Sequence, residues 1–331
     1  TSMANTIKWG VTSAIFNNIS GSIQKAYGYT KRLDSSLNDI RIVTDKSAES
    51  MEKFAIQANE AAKGLGASTI DYTDAALIYY QQGLSDEEVA ARAEVTLKAA
   101  NVTGQSGAEV SEQLTAVWNG YKVTAEEAEL YVDKLAAVAA NTASDLEELS
   151  TGMSKVASAA NSMGVDIDQL NAQLATIVSV TRQAPESVGT ALKTIYARMS
   201  DLKLGGADED GLSLGDVSGT MESMGISVLD ETGNLREMGD VIEEVATKWN
   251  TWTDAQKTAM AQVMAGKRQY NNLVALFENW DMYTDTLLAF SNDVLSLYLV
   301  LGISNLYPAY KLKNAVSLPA SLLIVIIPSS P

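Results

Sequence analysis

The chain has 331 residues and a formal net charge of −17, with 46% apolar and 7% aromatic residues. That is enough length for one large domain or two small ones, with a core of alanine and aliphatic side chains rather than rings. Cysteine and histidine are both absent from the sequence, which excludes disulfides and thiolate metal sites and removes the commonest general base.

The acidity lies in the middle of the chain. Residues 1–50 hold six basic and four acidic side chains, whereas 287–331 hold only Asp293, Lys311 and Lys313. So acidic a surface speaks against contacts to a phosphate backbone, and no specific nucleic acid binding is expected. The opening TSMANTIKWG has no apolar core after its charge and does not read as a signal peptide. A start at Thr-Ser-Met reads as an internal start or a tag remnant, and the chain as a piece of something longer.

Residues 6–60 read as one or two long helices. Val11, Ile15, Ile19 and Ile23 recur every four residues, and Leu33, Leu37 and Ile40 continue the stripe. Thr44, Asp45 and Ser47 mark a break before a second helix at about 47–63. GLGAST at 64–69 stops one helix at Gly64 or Gly66 and starts the next at Ser68 or Thr69. A short Tyr-rich helix follows and closes at Gly83.

A rhythm then sets in. Ser85 with Glu88, Ser106 with Glu109, Thr124 with Glu127 and Ser144 with Glu147 all fit S/T-x-x-E, and Asp166 with Gln169 is a looser copy. In that pattern the hydroxyl caps an orphan N–H of the first turn and the glutamate returns a bond. The starts lie 21, 18, 20 and 22 residues apart, which predicts consecutive antiparallel helices joined by short loops, with Gly104, Gly120 and Gly164 near their ends. A helical solenoid ranks below a compact bundle, because the apolar positions do not repeat between units.

In TRQAPESVGTALKTIYARM (181–199), Pro185 suits the first helical position. Gly189 sits inside that helix, where glycine costs about 1 kcal/mol against alanine. Such a residue marks the close approach of another backbone. Gly189, Leu192, Ile195, Tyr196 and Met199 share one broad buried face, while Lys193 and Arg198 extend along the surface with charged ends in water. Residues 201–220 are Gly- and Asp-rich and read as a linker. Within it, DEDG (208–211) lacks the ligand spacing and closing glutamate of a calcium loop. GISVLDETGNLR (225–236) reads as a small β-hairpin around Thr232-Gly233-Asn234. Helices resume at about 238–250, 253–266 and 267–285, the second capped by Thr253, with Gly266 as a hinge before the small basic patch of Lys267 and Arg268. The tail, 287–331, turns strongly apolar, yet its uninterrupted runs fall short of the roughly 20 residues that span a bilayer. It reads as an interfacial segment, part of an interface, or the translated scar of a frameshift.

Neither a phosphate loop nor a nucleophile elbow is present. The adjacent carboxylates Glu87–Glu88, Glu126–Glu127 and Glu147–Glu148 fall in first turns, where the helix dipole favours negative charge. No catalytic residue, cofactor or metal is expected.

Six stretches, in order, resemble the shared region of phage tail tape measure proteins, the TP901-type minor tail family. They are GLGASTIDYTDAALIYYQQGLS (64–85), AANVTGQSGAEVSEQLTAVWNGY (99–121), VDKLAAVAANTASDLEELSTGMSKVASAANSMGV (132–165), ATIVSVTRQAPESVGTALKTIYARM (175–199), GISVLDETGNLREMGDVIEEVATKW (225–249) and MAGKRQYNNLVALFENWDMY (264–283). The resemblance covers roughly 50–285. It implies a non-enzymatic virion tail component that lies inside the tail tube, helps set its length and leaves during DNA ejection. The implied partners are tail tube, tail assembly chaperone and baseplate proteins and further copies of the chain. Even an unbroken helix of this length would reach only about 500 Å, so a folded module or a truncated prophage copy is expected. The sequence after about 286 departs from the family. A rival reading is a membrane-active effector, with membrane contact through 287–327.

The expected fold is all-α: a multi-helix bundle of short antiparallel helices with a long N-terminal helix and one small β-hairpin. The expected units are 1–63 (long, partner-seeking helices), 64–202 (compact helical core), 203–224 (linker), 225–286 (hairpin plus helices) and 287–331 (apolar tail). Pro185, Gly189, Lys193 and Arg198 are the residues expected to shape the domain.

Overall fold

The computed structural model describes residues 13–200 and 214–289. Capped starts divide these residues into helices. The first two are α1 (Ser13–Thr44) and α2 (Ala48–Gly64), broken at Asp45, whose φ of 52° is left-handed. Ser47 caps α2 and Ser68 caps α3 (Thr69–Gln81). Then come α4 (Asp86–Thr103), α5 (Gly107–Tyr121), α6 (Ala125–Asn141), α7 (Leu146–Ser162) and α8 (Ile167–Thr181). Each of these five opens with a reciprocal capping box.

Four boxes use the predicted pairs. The fifth shifts by one residue: α7 is capped by Asp145 with Glu148, not by Ser144 with Glu147. Aspartate caps as well as serine, and the Ser144 hydroxyl is turned inward, 3.2 Å from Ser179 Oγ. Gly104 ends α4 in the left-handed conformation, as expected. Gly120 does not end α5; Lys122 does, at φ 56°.

The helices pack in two layers. In one, α3, α5 and α7 lie side by side and are followed by α9 (Pro185–Ser200); in the other lie α4, α6 and α8. Bonds within the first layer join starts to mid-points and ends to ends. Gln113 Nε2 donates to Thr151 Oγ1 at 3.0 Å, and Asn161 Nδ2 to the Gly120 carbonyl at 2.9 Å. Alternate helices there run the same way, while Ser144, at the head of α7, meets the end of α8, so neighbours in sequence run oppositely. The bundle is layered, and the 20-residue rhythm is its repeat.

The core is light, as the composition implies: Ala58, Ala75, Ala76, Ala93, Ala128 and Ala175 are fully buried. Trp118 and Trp249 are its largest buried side chains. At the N-terminal end, Ile40 is buried and Leu37 packs against the core, but Tyr27 and Ile42 are 72% and 69% exposed. Val11 and the side chains of Ile15, Ile19 and Ile23 lie outside what is described.

Part of the predicted linker is helical: α10 (Leu214–Ser223) buries Met221 and packs on α12 (Asp254–Glu278). The DEDG stretch lies outside the described residues. The predicted β-hairpin is not there; among the described residues no strand forms. Residues 225–236 carry one isolated bridge, Leu229 with Leu235. Asp230 Oδ1 accepts from the Thr232 amide (2.9 Å), the Thr232 hydroxyl (2.7 Å) and the Asn234 amide (2.8 Å). Beside these, two backbone bonds join the arms of the turn, Asp230 N to the Asn234 carbonyl at 2.8 Å and Arg236 N to the Val228 carbonyl at 3.0 Å, and Ile226 and Val228 go into the core instead of alternating across a sheet.

After α11 (Met238–Trp249), capped by no side chain, Thr253 caps α12, which kinks at Gly266 (φ 65°, ψ 174°). A further helical stretch covers 280–289. Among the described residues no helix is long and apolar enough to cross a membrane; nearly all of the apolar tail, 290–331, lies outside them.

Candidate functional site

The residues expected to shape the domain lie on α9. Pro185 is its first residue. Gly189 is buried, and a Cβ built there would overlap the Gly152 carbonyl oxygen of α7 and stand 3.1 Å from that carbonyl carbon. Gly152 faces back: a Cβ on it would meet the Leu174 methyls at 2.7 and 2.8 Å and the Pro185 carbonyl oxygen at 3.1 Å. The two backbones touch because neither residue has a side chain there. Val188, Leu192, Ile195, Tyr196 and Met199 fill the rest of the buried face, and the Tyr196 hydroxyl donates to Gln173 Oε1 at 2.6 Å inside the core.

Lys193 is exposed, as expected. Arg198 is not a free surface charge. It is half-buried, and its Nε donates to the Val263 carbonyl at 2.9 Å. In a continuous α12 that carbonyl would take the Lys267 N–H. The extended ψ at Gly266 swings that group off the axis, and Arg198 supplies a donor from α9. Lys267 and Arg268, just past the kink, are exposed.

The same device recurs one step at a time along the layer. A Cβ on Gly107 of α5 would overlap the Asp71 carbonyl oxygen of α3, and one on Gly120 would stand 2.8 Å from the Ser158 nitrogen and 2.9 Å from the Ala157 Cβ of α7. The α3/α5, α5/α7 and α7/α9 contacts therefore each have a glycine where one helix closes on the other's backbone. Sequence reasoning found Gly189 alone. Gly120 and Gly152 give the same signal, a glycine within an amphipathic helical pattern.

Electrostatics here serve the helices. Glu88 and Glu109 are held below the usual carboxylate range, first by the backbone N–H of Ser85 and Ser106, then by their hydroxyls. Lys134 of α6 and Asp168 of α8 form a largely buried ion pair at 2.7 Å. Burial raises the Tyr79 phenol to about 12, as for a core tyrosine hydrogen-bonded to Thr96. Among the described residues no group of three or more aspartates or glutamates is placed to hold a metal ion.

This arrangement packs helix faces on helix faces. No solved structure matches the chain. A family model, phage-related minor tail protein, matches residues 57–266, from within α2 to the kink of α12. With that match spanning most of its length, the chain belongs to the phage-related minor tail protein family.

Proposed function

We propose that the chain is the folded module of a tape measure-type minor tail protein. It acts without catalysis, by packing helix faces during tail assembly, and takes part in length determination and DNA ejection. The observation that carries this reading is the family match over 57–266, which coincides with the layered helical array. The ordered resemblance of six stretches to tape measure proteins supports the finer assignment. The glycine crossings support a mechanism of packing: they fix the spacing of helices that would otherwise slide. The exposed Tyr27 and Ile42 of α1 supply apolar surface for tube, chaperone or baseplate proteins, or for further copies of the chain.

The test is electron microscopy of tails from the phage or prophage that encodes the chain. Antibody labelling is expected to place it in tails, and in-frame duplication of its helical segments within the encoding gene is expected to lengthen them. Tails that lack the protein yet assemble at normal length would overturn the reading. Binding to lipid vesicles that is lost when residues 287–331 are removed would instead favour the membrane-active rival.

A further inference from the structure

α1 has 32 residues, whereas α3 to α8 have 13 to 18. The bundle covers its C-terminal part. Ser36 and Ile40 are buried and Leu33 is half-buried, on the side laid against the bundle. From Tyr27 to Arg32 no residue is buried. The helix begins at Ser13, about 30 Å of helix before Leu33.

The packed side of α1 does not end where the bundle does. Tyr29 stands seven residues before Ser36 and eleven before Ile40, spacings that keep all three on one side of a helix. Tyr29 is nonetheless 40% exposed. In the sequence the seven-residue spacing runs on, from Leu33 back to Ala26 and Ile19 and from Tyr29 back to Ser22 and Ile15. Alternating steps of four and three make the seam of a coiled coil, whose partner is another helix. The seam is continuous with the interface α1 already forms on the bundle, and at Tyr29 it is open.

Charge selects the partner. Residues 13–64, which hold α1 and α2, carry seven basic and six acidic side chains, whereas 65–286 carry 14 and 34. Two copies repel one another through their acidic bodies but not through this edge. Most of the large apolar side chains left exposed among the described residues also lie here: Tyr27, Tyr29, Ile42, Val43 and Ile56. Charge sets the direction as well. Lys25 and Arg32, seven residues apart, flank the seam on one side. Antiparallel pairing would set each Lys25 near the other copy's Arg32, whereas parallel pairing sets it near Thr30.

We propose that α1 pairs with α1 of a second copy, in parallel and in register, through the seam that includes Tyr29. Both bundles then stand at the same end of a shared two-helix stem. The pairing belongs to the chain itself and stands independently of the tail assignment.

The chain has no cysteine, so single cysteines report the pairing directly. In the full chain, Tyr29→Cys is expected to give a disulfide-linked dimer under copper phenanthroline and air, read on a non-reducing gel. Tyr27→Cys is the control: two residues away, it lies about 200° round the helix, and its cross-linking is expected to be at least tenfold slower. Sedimentation of the wild type is expected to show a concentration-dependent dimer. Tyr29→Glu is expected to weaken that dimer at least tenfold, because it sets two carboxylates face to face in the seam. Tyr29→Phe is expected to keep it, and Ile42→Glu, off the seam, to leave it unchanged. A wild type that stays monomeric at high micromolar concentration overturns the proposal and leaves the face to a different protein. Equal cross-linking at 29 and 27 overturns it too, as does a Tyr29→Glu chain that folds and pairs like the wild type.

Discussion

Replacing Gly189 by alanine separates two opposed effects. In an open helix the methyl group stabilises by about 1 kcal/mol, since glycine loses more backbone freedom on folding. At 189 the same methyl would overlap the Gly152 carbonyl oxygen and crowd its carbon at 3.1 Å. Both are backbone atoms, so relief requires α7 and α9 to move apart along their whole contact. Overpacking of this kind costs about 1–3 kcal/mol. The steric effect offsets the propensity gain or exceeds it, and a net loss of up to about 2 kcal/mol is expected, equivalent to a drop of up to roughly 8 °C in melting temperature. Gly28→Ala is the control: it lies within α1, and its Cβ would meet nothing within 4 Å. That variant is expected to gain about 0.5–1 kcal/mol. Urea unfolding followed by circular dichroism measures both. Equal stabilisation by the two variants would show that α9 does not rest on α7 through Gly189.

Ser106→Ala removes the hydroxyl of a complete capping box and is expected to cost about 1 kcal/mol in the same unfolding assay. Asp45→Gly relieves a left-handed, exposed aspartate between α1 and α2 and is expected to raise stability by up to about 1 kcal/mol. The pH dependence follows from the caps. Glu88 and Glu109 have depressed folded pKa values, so their contribution is present above the unfolded carboxylate value and is lost as pH falls through the folded one. With no histidine in the chain, melting temperature is expected to stay level between about pH 5.5 and 8 and to fall below about pH 4.5; Glu109→Gln is expected to blunt that fall. Arg198→Leu removes the donor to the Val263 carbonyl and is expected to speed amide exchange around the α12 kink.

The helix starts were legible because each cap is a local contract between residues three apart, and four boxes formed on the predicted pairs. The shift at Asp145 came from a choice between two adjacent residues that cap equally well, which only the inward pull of Ser179 on Ser144 decides. The turn at 225–236 was legible and its ladder was not. Alternating apolar residues serve a strand and a core-lining loop equally, and Asp230 gathered the donors. Gly189 could be read from its place on a buried face. Its partner could not, because Gly152 lies 37 residues earlier and nothing local pairs the two. The Arg198–Val263 bond depends on a kink in another helix.

The alternation of helices between layers bears on how the protein comes off the ribosome. The bonds linking α3 to α5, α4 to α6, α5 to α7 and α6 to α8 join residues 33, 31, 38 and 34 positions apart. Each emerging helix thus finds its resting place on segments synthesised shortly before, and little loop entropy is lost at any step. Among the described residues the longest ties, Gln169 to Glu243, Met163 to Met238 and Gln183 to Asn272, span 74, 75 and 89 positions. Nascent chains can therefore acquire order progressively, with the last helices sealing an already assembled stack.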